Sequence, residues 1–178
     1  ASKLQKAQDA TLASRMYASS AREVLSRLKT VSEVDHRFFT TGDNQEALYI
    51  VFTSDRGLAG ANAANVLKEL FRAASGTQRA KVIMIGKRGL QLLSRIQHGF
   101  DIVGVYSSWQ HHPTLADVSP IAQTAMKLFR DDAIGRVALV YTDFHSVSRQ
   151  KSVSKVILPI SAQEGDDQVE HNHFGFVL

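Results

Sequence analysis

The stretch ALYIVFTSDRGLAGANAANVLKELF, residues 47–71, decides the fold of the region around it. An apolar run at residues 48–53 precedes two glycines, Gly57 and Gly60, and an amphipathic segment follows them. Apolar residues at consecutive positions are typical of a parallel strand that is buried on both faces. The order of strand, glycine turn and helix is also that of phosphate-binding loops. The stretch therefore predicts a strand–turn–helix unit and raises the question of what the turn binds.

The turn lacks the residues that a phosphate-binding loop requires. A Walker loop needs a lysine and a hydroxyl residue beside its last glycine, and a dinucleotide loop needs three glycines in the pattern GxGxxG. Here only Gly57 and Gly60 are present, and the carboxylate of Asp55 would repel a phosphate. We expect a structural turn in which glycine supplies a positive φ.

Strands and helices alternate through the rest of this region. Further strands are predicted at residues 81–85, 102–106, 136–142 and 152–158, the last one antiparallel. The first helix has an apolar stripe, and Leu90, Leu93 and Ile96 mark the second. For the third helix we expect Ser119 as N-cap and Pro120 at the first helical position. The expected buried stripes are Ala63, Val66, Leu67, Leu70, Phe71 and Ala74 in the first helix, and Ile121, Ala122, Ala125, Met126 and Phe129 in the third. The alternation predicts a three-layer, Rossmann-like α/β domain.

A separate long helix is predicted before this domain. Residues 2–29 contain no glycine or proline. Eight positions spaced alternately by three and four form a heptad seam, and five of the eight residues are small. The seam consists of Leu4, Ala7, Thr11, Ser14, Ala18, Ala21, Leu25 and Leu28. Small residues bury little area, so the helix needs a partner helix in a coiled coil.

The charge distribution separates the two ends of the chain. The net charge is +4, and residues 1–30 carry six cationic residues against two acidic ones. Lys3, Lys6, Arg15 and Arg22 form what we call the cationic track. No lysine or arginine follows Lys155, and the tail is acidic. A basic and an acidic end indicate different surroundings, or simply solvated faces. The chain has no apolar run long enough to span a membrane and no cysteine, so disulfides play no part.

Other combinations that could support chemistry are incomplete. The loop IGKRGL, residues 85–90, is a candidate anion site or a solvated basic turn. The seven histidines include close pairs, but no HExxH motif or cysteine cluster accompanies them. Ser54, Asp55 and His145 could be parts of a hydrolytic triad, yet no GxSxG elbow is present. The basic helix could bind nucleic acid, but aromatic residues are not interleaved with its cations. Because each of these motifs is incomplete, the sequence favours a component of an assembly over an enzyme.

Several motifs resemble the gamma subunit of F-type ATP synthases. The turn SDRGLAG, residues 54–60, is similar to the family's (S/T)-D-R-G-L-C-G turn after a central strand. ASKLQKAQDATLASRMYASSAREVLSRL resembles its first helix, IGKRG resembles a strand-end loop, and HHPTLADVSPIA resembles a helix entry of the NPSLSELIGPV type. YTDFHSVSRQKSVSKVILPI resembles a hairpin of the pattern Y-x-x-F-x-S-x-x-x-Q…LLP. The resemblance is colinear and covers most of the chain.

The resemblance implies a non-catalytic central-stalk rotor subunit, truncated at both ends, with no cofactor. Such a subunit transmits torque between proton or sodium flow through a membrane ring and conformational change at catalytic sites, which supports ATP synthesis. Its partners would be three catalytic and three nucleotide-binding ring subunits, an epsilon-type stalk subunit and the membrane rotor ring. Neither nucleic acid nor membrane insertion is expected. The location would be peripheral on an energy-coupling membrane, at the cytoplasmic face of a bacterial inner membrane or the matrix side of a mitochondrial one.

The predicted organisation has four parts. Residues 1–30 form the coiled-coil helix, residues 31–46 a connector, residues 47–160 the α/β domain, and residues 161–178 an acidic tail leading toward a missing C-terminal helix. The candidate subunit contacts are Lys3, Lys6, Arg15, Arg22, Asp55, Arg56, Gly57, Gly60, Lys87 and Arg88. Two alternatives stay open: a small-molecule or nucleotide-binding enzyme on a flavodoxin-like sheet, and a nucleic-acid-binding adaptor.

Overall fold

A five-stranded mixed sheet forms the centre of the structure, which is a computed structural model. It describes residues 17–21, 23–25, 27, 36–40, 43–56, 61–77, 79–96, 99–107, 113–146 and 149–160. The strands are β1 (Ala47–Phe52), β2 (Ala80–Ile85), β3 (Phe100–Tyr106), β4 (Arg136–Phe144) and β5 (Gln150–Leu158). Their order in the sheet is β3-β2-β1-β4-β5. The first four run parallel and β5 runs antiparallel to β4, so the predicted direction of the last strand is confirmed.

Three helices connect the parallel strands. They are α1 (Asn62–Ala74), α2 (Lys87–Leu93) and α3 (Leu115–Arg130), and a short 3-10 turn (Arg37–Phe39) precedes β1. The chain steps outward from β1 to β2 to β3 through α1 and α2, and returns across the sheet to β4 through α3. Right-handed crossovers therefore place α3 on the opposite face from α1 and α2. The predicted α/β architecture is confirmed.

The core lies on both faces of β1. Tyr49 and Val51 belong to a buried cluster that contains Val66 and Leu70 of α1. Leu48, which alternates to the other face, is also fully buried. The consecutive apolar run of β1 thus arises because helices cover both sides of this strand. Two residues of the expected helical stripes, Phe71 and Met126, are instead 39% exposed and lie at the rim of the core.

The start of α3 differs from the sequence-based expectation. The N-cap is Thr114, and the carboxylate of Asp117 accepts the Thr114 N–H at 2.7 Å. This capping box satisfies donors at the first turn, so the helix begins five residues before the expected start. Ser119 is consequently inside the helix, where its hydroxyl donates to the Leu115 carbonyl, and Pro120 is an interior helical residue. The assignment of Ser119 as N-cap was wrong.

The second helix is also placed differently. Lys87, Arg88 and Gly89 were expected in a loop, but they form the first turn of α2. The helix ends at Leu93, and Ile96 lies beyond it with 46% of its surface exposed. Backbone N–H groups of Arg95 and Ile96 bond to carbonyls three residues back, which closes the helix in a tight turn.

Strand β3 forms one edge of the sheet. Its pairing with β2 carries an irregularity: Ile102 pairs with Val82 and Gly104 pairs with Ile83, so Val103 is left as an extra residue. Such a β-bulge bends and twists the strand locally. Beside it, Lys81 of β2 forms an ion pair with Asp101 of β3, with 3.7 Å between the charged atoms.

Contacts divide the chain into two units, Ala1–Val34 with Ile160–Leu178, and Asp35–Pro159. Within the first unit, residues 17–21, 23–25 and 27 are helical. The rest of the predicted long helix, the cationic track of Lys3, Lys6, Arg15 and Arg22, and the acidic tail lie outside the described residues. The coiled coil therefore stays a prediction.

Candidate functional site

The carboxyl ends of β1 and β2 bring the two glycine-containing segments of the sequence together. The Oγ1 atom of Thr53, directly after β1, accepts the Gly89 N–H at 3.0 Å and donates to the Ile85 carbonyl at 3.0 Å. The carbonyl of Ser54 accepts the Arg88 N–H at 3.1 Å. The first turn of α2 is thus held against the end of the neighbouring strand.

Asp55 completes this arrangement. Its Oδ1 atom accepts the Lys87 N–H at 3.1 Å. The N–H groups of the first three residues of α2, which have no partner inside the helix, are therefore all bonded to residues that follow β1. The carboxylate also lies at the positive end of the helix dipole. The contact of Asp55 with a partner subunit stays a prediction, and in this structure its carboxylate is bonded to Lys87 of the same chain.

Two glycines allow the close approach. A Cβ atom at Gly86 would lie 2.2 Å from the Thr53 carbonyl oxygen, and φ at Gly86 is +98°, a value that favours glycine. A Cβ atom at Gly89 would lie 2.7 Å from the Sδ atom of Met84 and from the Thr53 side chain. The glycines of this segment therefore serve helix-to-strand packing. At the candidate anion site of residues 85–90, the first three N–H groups of α2 are already bonded to residues 53–55, so these backbone donors give an anion no support.

The cationic side chains at this edge remain exposed. Arg56, Lys87 and Arg88 are all exposed, and Arg88 bonds to Gln91 of its own helix at 3.1 Å. Arg56 forms no hydrogen bond or ion pair with any residue that the structure describes. Gly57 and Gly60 lie outside the described residues, so the positive φ expected there stays a prediction. We refer to Arg56, Lys87 and Arg88 as the basic edge.

A second feature is an open cleft between the carboxyl ends of β1 and β4. The carboxyl end of β1 leads into α1, whereas that of β4 leads through a hairpin into β5. The Asn62 side chain donates to Thr142 Oγ1 at 2.9 Å, which joins α1 to β4 across the cleft. The polar end of the cleft has a volume of about 190 Å³ and is lined by Ala61, Asn62, Asn65, Thr142, Gln150 and Ser152. None of these residues is charged, so this cleft offers no side chain that would neutralise a phosphate.

Ionisable groups in the described part of the chain act in surface pairs and caps. A side-chain hydrogen bond from Arg72 holds the pKa of Glu69 below its usual value. The backbone N–H of Thr114 lowers the pKa of Asp117, and Lys127 lowers that of Asp131 through a side-chain hydrogen bond. Lowered pKa values keep these carboxylates ionised near neutral pH, so they are unsuited to proton transfer.

The other candidate chemical groups are not assembled where the chain is described. Asp55 bonds to Lys87, whereas His145 Nε2 lies 3.1 Å from Asp143 Oδ2 on β4. Among the described residues no group of histidine, aspartate and glutamate side chains could hold a metal ion. His111, His112, His171 and His173 lie outside that part of the chain. No described helix is both long and apolar enough to cross a membrane.

Comparison with solved structures supports the fold. The central stalk/c-ring structure of the Tetrahymena thermophila mitochondrial ATP synthase matches with a TM-score of 0.58 and 21% sequence identity. The match covers 86% of this chain and 71% of that one. This likeness and the strand order together define an α/β protein with a five-stranded mixed sheet.

Sequence comparison identifies which family this is. A family model described as ATP synthase matches residues 1–176, so the chain belongs to that family. An ATP synthase gamma chain from Heliobacterium modesticaldum is 32% identical over 167 residues, which cover 93% of this chain and 57% of the relative. One from Clostridium beijerinckii is 31% identical, covering 92% of this chain and 58% of the relative. The chain thus spans somewhat more than half the length of these curated relatives, and the resemblance seen in its motifs is confirmed.

Proposed function

We propose that this chain is part of the central-stalk rotor of an F-type ATP synthase and transmits torque without performing chemistry. In this role the coiled-coil helix would turn inside the ring of catalytic and nucleotide-binding subunits. The α/β domain would lie against an epsilon-type stalk subunit and the membrane rotor ring. Proton or sodium flow through that ring would then drive conformational change at the catalytic sites and support ATP synthesis.

One observation carries the proposal: the match to the ATP synthase family over residues 1–176, with relatives named ATP synthase gamma chain. The filled N terminus of α2 supports a non-catalytic role, because Asp55 and Thr53 occupy the donors that a phosphate would need. The uncharged lining of the cleft gives the alternative, a nucleotide-binding enzyme, no support.

The partners and location follow from the same proposal. The chain would be held at an energy-coupling membrane through protein contacts, on the cytoplasmic face of a bacterial inner membrane or the matrix side of a mitochondrial one. The basic edge of Arg56, Lys87 and Arg88 is the surface of the sheet domain that we assign to subunit contact. Its exposed cations would meet acidic groups in many weak contacts, each contributing about 0–1 kcal/mol.

Native mass spectrometry of the full-length parent, isolated gently from its source, tests the assignment. We expect a single copy in a complex with three copies each of two larger, nucleotide-loaded subunits. A free monomer or homodimer that retains a bound nucleotide would overturn the rotor assignment and favour the enzyme alternative.

The cationic track makes a separate prediction about the helix. Replacing Lys3, Lys6, Arg15 and Arg22 together with Gln should lower ATP hydrolysis that is coupled to ion transport, because sliding contacts with acidic loops of the ring are lost. A matched control replaces four exposed cations of the sheet domain with Gln: Lys68, Arg72, Lys127 and Arg130. Unchanged coupled hydrolysis in the track variant, or an equal loss in both, would contradict the prediction.

A further inference from the structure

The segment before β1 lies outside the sheet. Residues 36–46 begin almost at the start of the unit Asp35–Pro159, and the described part of this segment contains one regular element, the 3-10 turn Arg37–Phe39. If the segment were joined to the sheet only through the peptide chain, it would be slack. Eleven residues reach about 36–40 Å when fully extended, so an unattached segment would carry force only after it had been pulled taut.

Arg37 attaches the segment to the turn between α3 and β4. Its Nη2 atom donates to Asp132 Oδ1 at 2.6 Å and to the Ile134 carbonyl at 3.2 Å. Its Nη1 atom donates to the Thr40 carbonyl at 3.2 Å. The guanidinium carbon lies 4.1 Å from the ring centroid of Phe129, within the range of a cation–π contact. One side chain thus bridges the segment, the end of α3 and the start of β4.

Further contacts fix the same junction. The Asn44 side chain donates to the Asp132 carbonyl at 2.6 Å, and the Gly135 N–H donates to the Glu46 carbonyl at 2.9 Å. A Cβ atom at Gly135 would lie 1.8 Å from the Asn44 carbonyl oxygen, so only glycine allows this approach. The segment is therefore bonded to the α3–β4 turn near both of its ends.

The backbone conformation of Asp132 is a second, independent indication that this turn serves to bind Arg37. Its φ is +55°, in the left-handed region where glycine fits at the lowest cost. Asparagine and aspartate are tolerated in this region better than most residues. Glycine would fit the backbone at lower cost, but it has no carboxylate to pair with Arg37. At this position the aspartate side chain forms the ion pair with Arg37, whose side chain is only 22% exposed. The turn therefore combines a costly conformation with the group that binds the arginine.

We propose that Arg37 is the positioning residue through which force arriving along the chain before residue 36 enters the sheet domain. The load passes through Asp132 and Phe129 into α3 and into β4, which is a direct neighbour of the central strand β1. The described residues of this segment, 36–40 and 43–46, then act as a stiff joint. This inference rests on the proposed rotor function, since only a torque-bearing subunit loads this junction.

The test uses the full-length parent in its assembled complex, with the ring immobilised and a bead attached to the sheet domain. The variance of the bead's angle at rest is the sum of contributions from the joint and from the rest of the shaft, so it rises when the joint becomes less stiff. We expect Arg37→Gln to widen this variance, and Arg37→Lys, which keeps the charge but not the fork of donors, to widen it less. The matched control is Arg72→Gln, which also removes an arginine–carboxylate pair, with Glu69 of the same helix α1, where the Arg72 side chain is 73% exposed.

Hydrogen exchange on the same variants separates this inference from the proposed function. Arg37→Gln should speed exchange of the Gly135 amide by about tenfold or more, because it removes the charge-assisted bonds to Asp132 and Ile134 beside this amide, whereas Arg72→Gln should not. If the parent does not assemble with a ring, the rotor function fails, and unchanged exchange at Gly135 separately overturns the joint. Equal angular variance in the Arg37→Gln and Arg72→Gln complexes overturns the force path, even if Arg37→Gln lowers Tm.

A cross-link supplies a rescue that does not depend on the arginine. Residues 1–178 contain no cysteine, so Arg37→Cys with Asp132→Cys provides the only pair among them, and any cysteine elsewhere in the parent is first replaced by Ser. Joining the two thiols with a short, reducible cross-linker should restore the narrow angular variance, and reduction should widen it again. This comparison uses one folded protein in two states, so a loss of folding in Arg37→Gln cannot obscure the result. No difference between the linked and reduced states would refute the inference.

Discussion

Replacing Thr53 with Val tests the bonding of α2 to β1. Valine keeps the shape of threonine but removes Oγ1, which accepts the Gly89 N–H and donates to the Ile85 carbonyl. The Ile85 carbonyl keeps the Thr53 N–H as a partner at 2.8 Å. The buried Gly89 N–H, at the third position of α2, keeps none inside the helix. The loss is therefore one hydrogen bond plus one unsatisfied buried donor.

The expected destabilisation follows from that count. A buried polar group left without a partner costs about 1–3 kcal/mol, so we expect the free energy of unfolding to fall by about 2 kcal/mol. For a domain of this size the melting temperature would fall by about 4–8 °C. Urea unfolding monitored by circular dichroism measures the change, and an unaltered slope with denaturant would show that the native state is equally compact.

The matched control is Thr124→Val on α3. The Thr124 hydroxyl donates to the Pro120 carbonyl at 2.9 Å on the exposed side of the helix, where water can replace it. This variant should change stability by no more than about 0.5 kcal/mol. If the two variants lose equal stability, or if Thr53→Val is neutral, the bonds at the end of β1 do not hold α2 in the way described.

Three further predictions concern neighbouring features. Gly86→Ala should destabilise the chain more than Gly99→Ala, because a Cβ atom at Gly86 meets the Thr53 carbonyl whereas one at Gly99 meets open space; thermal melts compare the two. The folded-state pKa of Asp117 is lowered, so its capping contribution is complete above the ordinary aspartate pKa of about 3.9 and lost as pH falls through the lower folded value. Asp117→Asn should therefore flatten the pH dependence of the melting temperature below that pH, and an unchanged profile would contradict the capping role. Calorimetric titration of the chain with magnesium–ATP should give no saturable binding, since the N terminus of α2 is filled; a saturating isotherm would refute this.

The fold followed from the sequence wherever local pattern and tertiary packing agree. The apolar run of β1 predicted a strand buried on both faces, because in parallel sheets helices cover both sides. The start of α3 was misplaced because two N-terminal patterns compete there. Ser119 with Pro120 fits a helix start, but Thr114 with Asp117 forms a capping box that satisfies more backbone donors. The order of residues alone does not decide which pattern the packing selects.

The site was less accessible to sequence analysis because its contacts join distant residues. The residue types and the edge location of Asp55 and Lys87 were predicted, but the bond between them spans 32 positions. Thr53 was counted only as the end of a strand, although a hydroxyl at a strand end is a plausible helix-capping group. Arg37 was missed altogether: its carboxylate partner Asp132 is 95 positions away, and no spacing rule relates the two.

The bulge in β3 affects how readily the chain can aggregate through this strand. An open strand edge with unpaired backbone groups invites other chains to add a strand, which leads to aggregation. At Val103 the extra residue interrupts the regular pattern of backbone donors and acceptors, and the charge of Asp101 lies beside it. A second copy therefore cannot continue the sheet in register. The edge that β3 leaves open is thus a poor template for a further strand from another chain.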